Sequence, residues 1–134
     1  MSARSKARKR ALDLIYASEM RHRSAVEALD DLAEAGQVNE YTVTLVHGVV
    51  DHRARLDEVI SSYAQGWTLD RMPAVDRNVL RLATFEVLYV DDVPDAVAVS
   101  EALNLVRDLS TEESPTFVNG VLGNIVRDRD TLTS

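Results

Sequence analysis

Hydrophobic positions along this chain recur at three and four residues almost throughout, and no segment alternates at two over a useful length. The pattern predicts an all-α fold. Its hub is the stretch WTLDRMPAVDRNVLRLATFEVLYV, Trp67 to Val90. Pro73 suits a first helical turn, and Ala74 to Val90 contains no Gly or Pro, so the spacing predicts one helix of about five turns. On a helical wheel Val75, Val79, Leu80, Leu82, Ala83, Phe85, Val87, Tyr89 and Val90 fill an arc of roughly 220°, leaving a strip of Arg77, Arg81 and Thr84 with Leu88 among them. A helix this apolar must be packed on several sides. Glu86 falls inside the arc, where an unpaired carboxylate would lose several kcal/mol of hydration, so it needs a partner. Asp76 lies in the first turn, where it complements the helix dipole and is expected to be exposed.

The remaining elements follow from start and stop signals. Ser2 to about His22 reads as a first helix with Ala7, Ala11, Leu14 and Ile15 inward and Tyr16 and Met20 outward. Ser24-Ala-Val-Glu27 has the form of a capping box and Gly36 is a stop, giving a helix over about 25–35. Asn39 caps a third region to Tyr63, in which Val50 is expected inward and Gly48 is the candidate break into two helices. A short helical turn precedes the hub. Pro94 opens a helix to about Leu109 with Val97, Ala98, Ala102, Val106 and Leu109 inward, and Ser114-Pro115 opens a last one to about Asp128. Gly120 and Gly123 inside that last helix each cost up to ~1 kcal/mol relative to Ala, which implies close approach of a neighbouring backbone or of a ligand. The sum is a single domain over 1–134 with about seven helices around a central buried one.

Composition narrows the chemistry. The 134 residues, 46% hydrophobic, are enough for one real core, and without cysteine there are no disulfides, thiolate metal sites or cysteine nucleophiles. His47 and His52 are five apart and do not form a metal pair; no phosphate-binding glycine loop or catalytic triad order is present. No catalytic residue, metal or cofactor is therefore expected. No apolar run reaches the ~20 residues of a membrane span, so a cytoplasmic protein is expected. Charge is the informative asymmetry. Arg4, Lys6, Arg8, Lys9 and Arg10 occupy the first ten residues with no acid, while the rest carries ten arginines, no lysine and all 22 acids. A cationic tip on an acidic body confines any polyanion binding to that tip and what adjoins it.

From the residues alone, the tip is a solvated helix start, a phosphate-contacting arm or a membrane-surface element, the last disfavoured because its apolar face lacks Trp and Phe. Single-stranded bases would need aromatic or polar edges nearby, for which Phe117, Asn119 and Tyr63 are candidates. Phe117 serves equally well as a core anchor.

Four blocks in order, the basic start with ALDLIY, DRMPAVDRNVLRLATFE, DVPDAVAVSEALNLVRDLS and SPTFVNGVLGNIV, resemble the NusB family of bacterial transcription antitermination factors over essentially the whole chain. The resemblance implies two small helical bundles at an angle, binding of single-stranded boxA RNA in ribosomal RNA leader transcripts, and pairing with the ribosomal protein NusE, joined to RNA polymerase with other Nus factors. It implies RNA contact at Arg4, Lys6, Arg8, Lys9 and Arg10, although Ser5 and Lys6 stand where arginine is frequent, and at Glu113, Ser114, Phe117 and Asn119. It places Tyr16 and Asp76 on the NusE-facing surface. The competing reading is a helical protein-interaction module with no RNA role, its basic arm docking an acidic partner. A homodimer of the free protein that covers the arm is left open by the spacing.

Overall fold

A computed structural model describes residues 2–133; Met1 and Ser134, the ends of the expected 1–134 domain, lie outside the described residues. Among the described residues there are eight α-helices and no strand: α1 (Ala3–Arg21), α2 (Ala25–Glu34), α3 (Glu40–Asp51), α4 (Arg53–Tyr63), α5 (Ala74–Tyr89), α6 (Asp95–Leu109), α7 (Ser114–Arg127) and α8 (Arg129–Thr133), with a 3₁₀ turn at Leu69–Arg71 before α5. None is long and apolar enough to cross a membrane. The signals that start them are visible as bonds: the Ser2, Ser24 and Asn39 side chains accept the N–H groups of Ser5, Glu27 and Tyr41.

Helices α1, α2 and α3 pack on one another, and α4, α6, α7 and α8 pack against α5, which also touches α1 and α3. The architecture is thus two small bundles sharing α5. That helix is enclosed more completely than its wheel predicts, because Arg81, Thr84 and Leu88 of the expected polar strip are all buried. Arg81 meets this burial by bonding Asp57 of α4 at 2.8 Å and Asn78 at 2.8 Å. Tyr89, assigned to the apolar arc, is instead half out of the protein, stacked on His52 at 4.1 Å.

Several inward assignments are corrected. Val50, Val97 and Leu109 are exposed, each at the edge of its helix's buried stripe. The third region does divide, but at His52, whose backbone leaves helical geometry (φ −107°, ψ 14°), and not at Gly48. Gly48 stays helical for a packing reason: a Cβ there would overlap the buried ring of Phe85. Gly120 and Gly123 show the reverse, being exposed with no protein atom near a would-be Cβ, so no neighbouring backbone explains them.

Candidate nucleic-acid interface

The cationic tip is the first two turns and a half of α1, and the structure divides its five basic side chains into two groups. Arg8 is only 4% exposed and reaches into the molecule, its guanidinium bonding both oxygens of Glu86 at 3.0 Å and Glu101 at 3.1 Å. Glu86 also accepts the Tyr41 hydroxyl, and Ser5 donates to Glu101. Burial, together with the bond to Glu86, pushes the Tyr41 hydroxyl far above the usual phenol range, so it stays a donor. The orphan carboxylate of the hub has found its partner, and Arg8 is turned inward, away from the expected RNA-contacting surface: the hydration lost by burying the two charges is offset by their pairing and by the bonds to Glu101 and Tyr41.

Arg4 bonds Asp92 at 3.0 Å and lies 4.2 Å over the Tyr41 ring, and Lys9 bonds Asp13 at 2.7 Å; both pairs are solvent-accessible. Lys6 and Arg10 make no side-chain hydrogen bond or ion pair within the described residues and are exposed. One turn apart on the same face of α1, they open onto a cleft of about 390 Å³ whose far wall is Gln37, Asn39 and Thr42.

The second group of expected RNA residues gathers at the α6–α7 loop. Trp67, Pro73, Asp76, Glu113, Ser114 and Phe117 line a groove of about 520 Å³, with Trp67 and Phe117 edge-to-face at 5.1 Å. Phe117 is half-buried against the core and also forms the groove wall, so both of its expected roles meet in one ring. Glu113 and Asn119 are exposed. Ser114 is not: it is buried, accepts the Thr111 N–H at 3.2 Å and donates to Ser110 at 3.1 Å, and so shapes the loop without offering surface. Helix α7 begins at Ser114, one residue earlier than the Ser-Pro signal implies, with Glu113 as its cap residue.

Asp76 departs most from expectation. It is 1% exposed, held by the Ser110 hydroxyl at 2.6 Å, and lies at the base of the aromatic groove rather than on an open first turn. Tyr16 behaves as its wheel position predicts, 38% exposed one turn before the more open Met20. The hub residue on its side is Arg77, which bonds Glu19 of α1 at 2.7 and 2.8 Å. Burial would raise the Glu19 carboxyl, but bonds from Arg77 and Asn78 outweigh it and hold the group below the usual carboxylate range.

Two features escaped sequence reasoning. Trp67, 42% exposed, reads as a hub preface, and its only signal was an aromatic directly after Gly66 in a loop. Gln37 carries no signal, since its place beside α1 depends on how α2 and α3 fold back.

The tip and the groove are linked by α6: its Glu101, Asn104 and Asp108 line a furrow with Ser5 and Lys9, and Ser110 and Thr111 follow immediately at the groove. The span is about 15 Å of helix. Comparisons with known proteins converge on one family. The chain is 68% identical to the transcription antitermination protein NusB of Nocardioides sp. (strain ATCC BAA-499 / JS614), covering 98% of this chain and 99% of that protein, and 53% identical to that of Kineococcus radiotolerans over the full length of both. Among solved structures, T. maritima NusB superposes with a TM-score of 0.87 at 30% identity, covering 96% of this chain and 93% of that one. A structure of antitermination factors NusB and NusE in complex with dsRNA superposes at 0.81 with 27% identity over 92% of this chain and 96% of that one. Since the NusB family model itself matches residues 5–127, from the cationic tip to the end of α7, the chain belongs to the NusB family.

Proposed function

We propose that this protein is a transcription antitermination adaptor that binds boxA-type single-stranded RNA of ribosomal RNA leader transcripts and pairs with NusE, within an RNA polymerase complex that includes other Nus factors. The observation that carries the reading is charge segregation: five basic residues and no acid in the first ten positions, at one helix end of an acidic body, with Lys6 and Arg10 exposed there and without a side-chain hydrogen bond or ion pair among the described residues. The groove of Trp67 and Phe117 supplies the aromatic surface that splayed bases stack on, with Glu113 in its wall, and Asn119 is exposed on the same helix as Phe117. Tyr16 and Met20 form the exposed face for NusE, and Asp76 serves that contact only for a side chain that enters the groove. The homologous complex with NusE and dsRNA supports both partners for this chain. Two modest contacts on one rigid body give tight assembly, because the first makes the second effectively intramolecular.

The test is a salt-titrated binding assay with boxA RNA and a scrambled RNA, with and without NusE. A boxA preference that strengthens with NusE and a steep loss of affinity with salt are expected. Equal binding of scrambled RNA would sink the specific-reader version, and binding of NusE alone would favour the protein-interaction module.

A further inference from the structure

Resting on the proposed place of this chain in an RNA polymerase complex, we infer that the groove between α6 and α7 receives an amphipathic helix from a protein of that complex other than NusE, and that this helix brings a carboxylate to Arg107. The groove holds about 700 Å³. Its floor is Ala96, Val99 and Leu103 of α6 with Gly123 and Val126 of α7, and its lining runs along α6 from Asp95 to Arg107, about 18 Å or three helical turns. An apolar floor of that length matches the stripe of a docked helix, which anchors at every third or fourth residue. The glycines of α7 suit the same occupant. Gly120 and Gly123, one turn apart and exposed, weaken the helix relative to alanine, yet no protein atom occupies the space where their Cβ atoms would stand. What they offer is bare backbone that a second backbone can approach closely.

Charge selects the partner. The chain carries 22 acids, but the one carboxylate lining this groove, Asp95, is already held by Arg129 at 3.6 Å. At the other end Arg107 bonds the Asn104 side chain at 3.0 Å and, among the described residues, no carboxylate. Seven of the ten arginines beyond residue 10 do hold one: Arg23, Arg53, Arg55, Arg77, Arg81, Arg127 and Arg129. Arg107 therefore keeps most of its five N–H donors open to an acid that the protein itself does not supply. A nucleic-acid strand fits poorly, since it would meet one unpaired cation, an apolar floor and a carboxylate at the far end. NusE fits poorly too. Its expected face is Tyr16 and Met20 on α1, whereas the flank of α6 that turns toward α1 is the other one, where Glu101, Leu105 and Asp108 meet Ser5 and Lys9.

The experiment adds the full-length protein to purified RNA polymerase, NusE, the other Nus factors and a boxA transcript, and measures its affinity for that assembly beside its separate affinities for NusE and for boxA RNA. Because a Cβ at either glycine meets no protein atom, Gly120→Ala/Gly123→Ala is expected to melt about 3 °C higher than the wild type and yet to join the assembly about five-fold more weakly, an opposition that a structural role does not produce. Arg107→Glu is expected to weaken joining by at least as much, and Arg107→Lys by less. All three variants should keep both separate affinities within about two-fold. A benzophenone side chain placed at Ser100 is expected to crosslink to a protein of the assembly other than NusE. Joining at wild-type affinity by the glycine variant and by Arg107→Glu overturns the groove and leaves the RNA and NusE function standing. Crosslinks to RNA, to NusE or to a second copy of this chain overturn the stated occupant, and an equal loss in the separate affinities overturns the groove as a site of its own. A wild-type protein with no affinity for boxA RNA or NusE overturns both this inference and the function it rests on.

Discussion

Arg8 and Glu86 are a pair that neither partner can leave. With side chains 5% and 2% exposed and 2.9 Å apart, removing Arg8 leaves Glu86 buried without its cation, and removing Glu86 leaves Arg8 buried with Glu101 as its remaining carboxylate. Glu86→Gln is expected to cost about 3 kcal/mol in chemical denaturation, and Arg8→Ala at least as much, the typical range for breaking a buried pair from one side. An unchanged unfolding midpoint would mean that water reaches the pair. Loss of RNA binding in Arg8→Ala would therefore report a loosened α1 and not a lost phosphate contact. Glu19 gives a pH signature. Its carboxyl is held below its unfolded value, so its contribution is present above the ordinary glutamate range, near 4.3, and is lost as pH falls through the lower folded value. Glu19→Gln should lower the melting temperature at neutral pH and make its decline between about pH 5 and 3 shallower than in the wild type. A parallel decline in the two proteins would remove Glu19 from that titration.

At the scale of elements, most of the fold was legible in the chain because helix boundaries are local chemistry. Ser24 with Glu27, Asn39, Pro73 and Pro94 each act within one turn of the residue that bears the signal. What could not be read was set by another element. Gly48 looked like a break and is a contact, because the deciding object, the Phe85 ring, lies 37 residues away on α5. Asp76 looked open because its covering residue, Ser110, belongs to the loop after α6. Of the tip's five charges, only the Lys9–Asp13 pair is local to α1; Arg4 and Arg8 are sorted by Asp92, Glu86 and Glu101, which come from α5, α6 and their link. The Gly48 contact is testable: Gly48→Ala should cost about 1–3 kcal/mol by overpacking, and Phe85→Leu should be tolerated better in the Gly48→Ala background than in the wild type. Purely additive losses in the thermal melts would show that the ring had room to move.

Over the whole molecule, the two candidate surfaces relate differently to the core: Phe117 and Asp76 of the groove are part of the packing, whereas Tyr16 stands open. Tyr16 is 38% exposed and stands outside the buried core cluster, so Tyr16→Ala should leave the melting temperature within about 2 °C while weakening NusE binding at least several-fold in calorimetry. Unfolding of that variant would assign the ring to structure. Asp76→Asn, which keeps the shape under Ser110, is the matched change in the groove, whereas a lysine there would have to be buried.

Helix α1 is fastened to the hub twice, by Arg8 to Glu86 near its start and by Glu19 to Arg77 near its end. Eleven helical residues separate the two fastenings, about 16 Å. The rod therefore works as a ruler: if RNA docks at its start and NusE along its exposed face, as proposed, the spacing between them is set before either arrives.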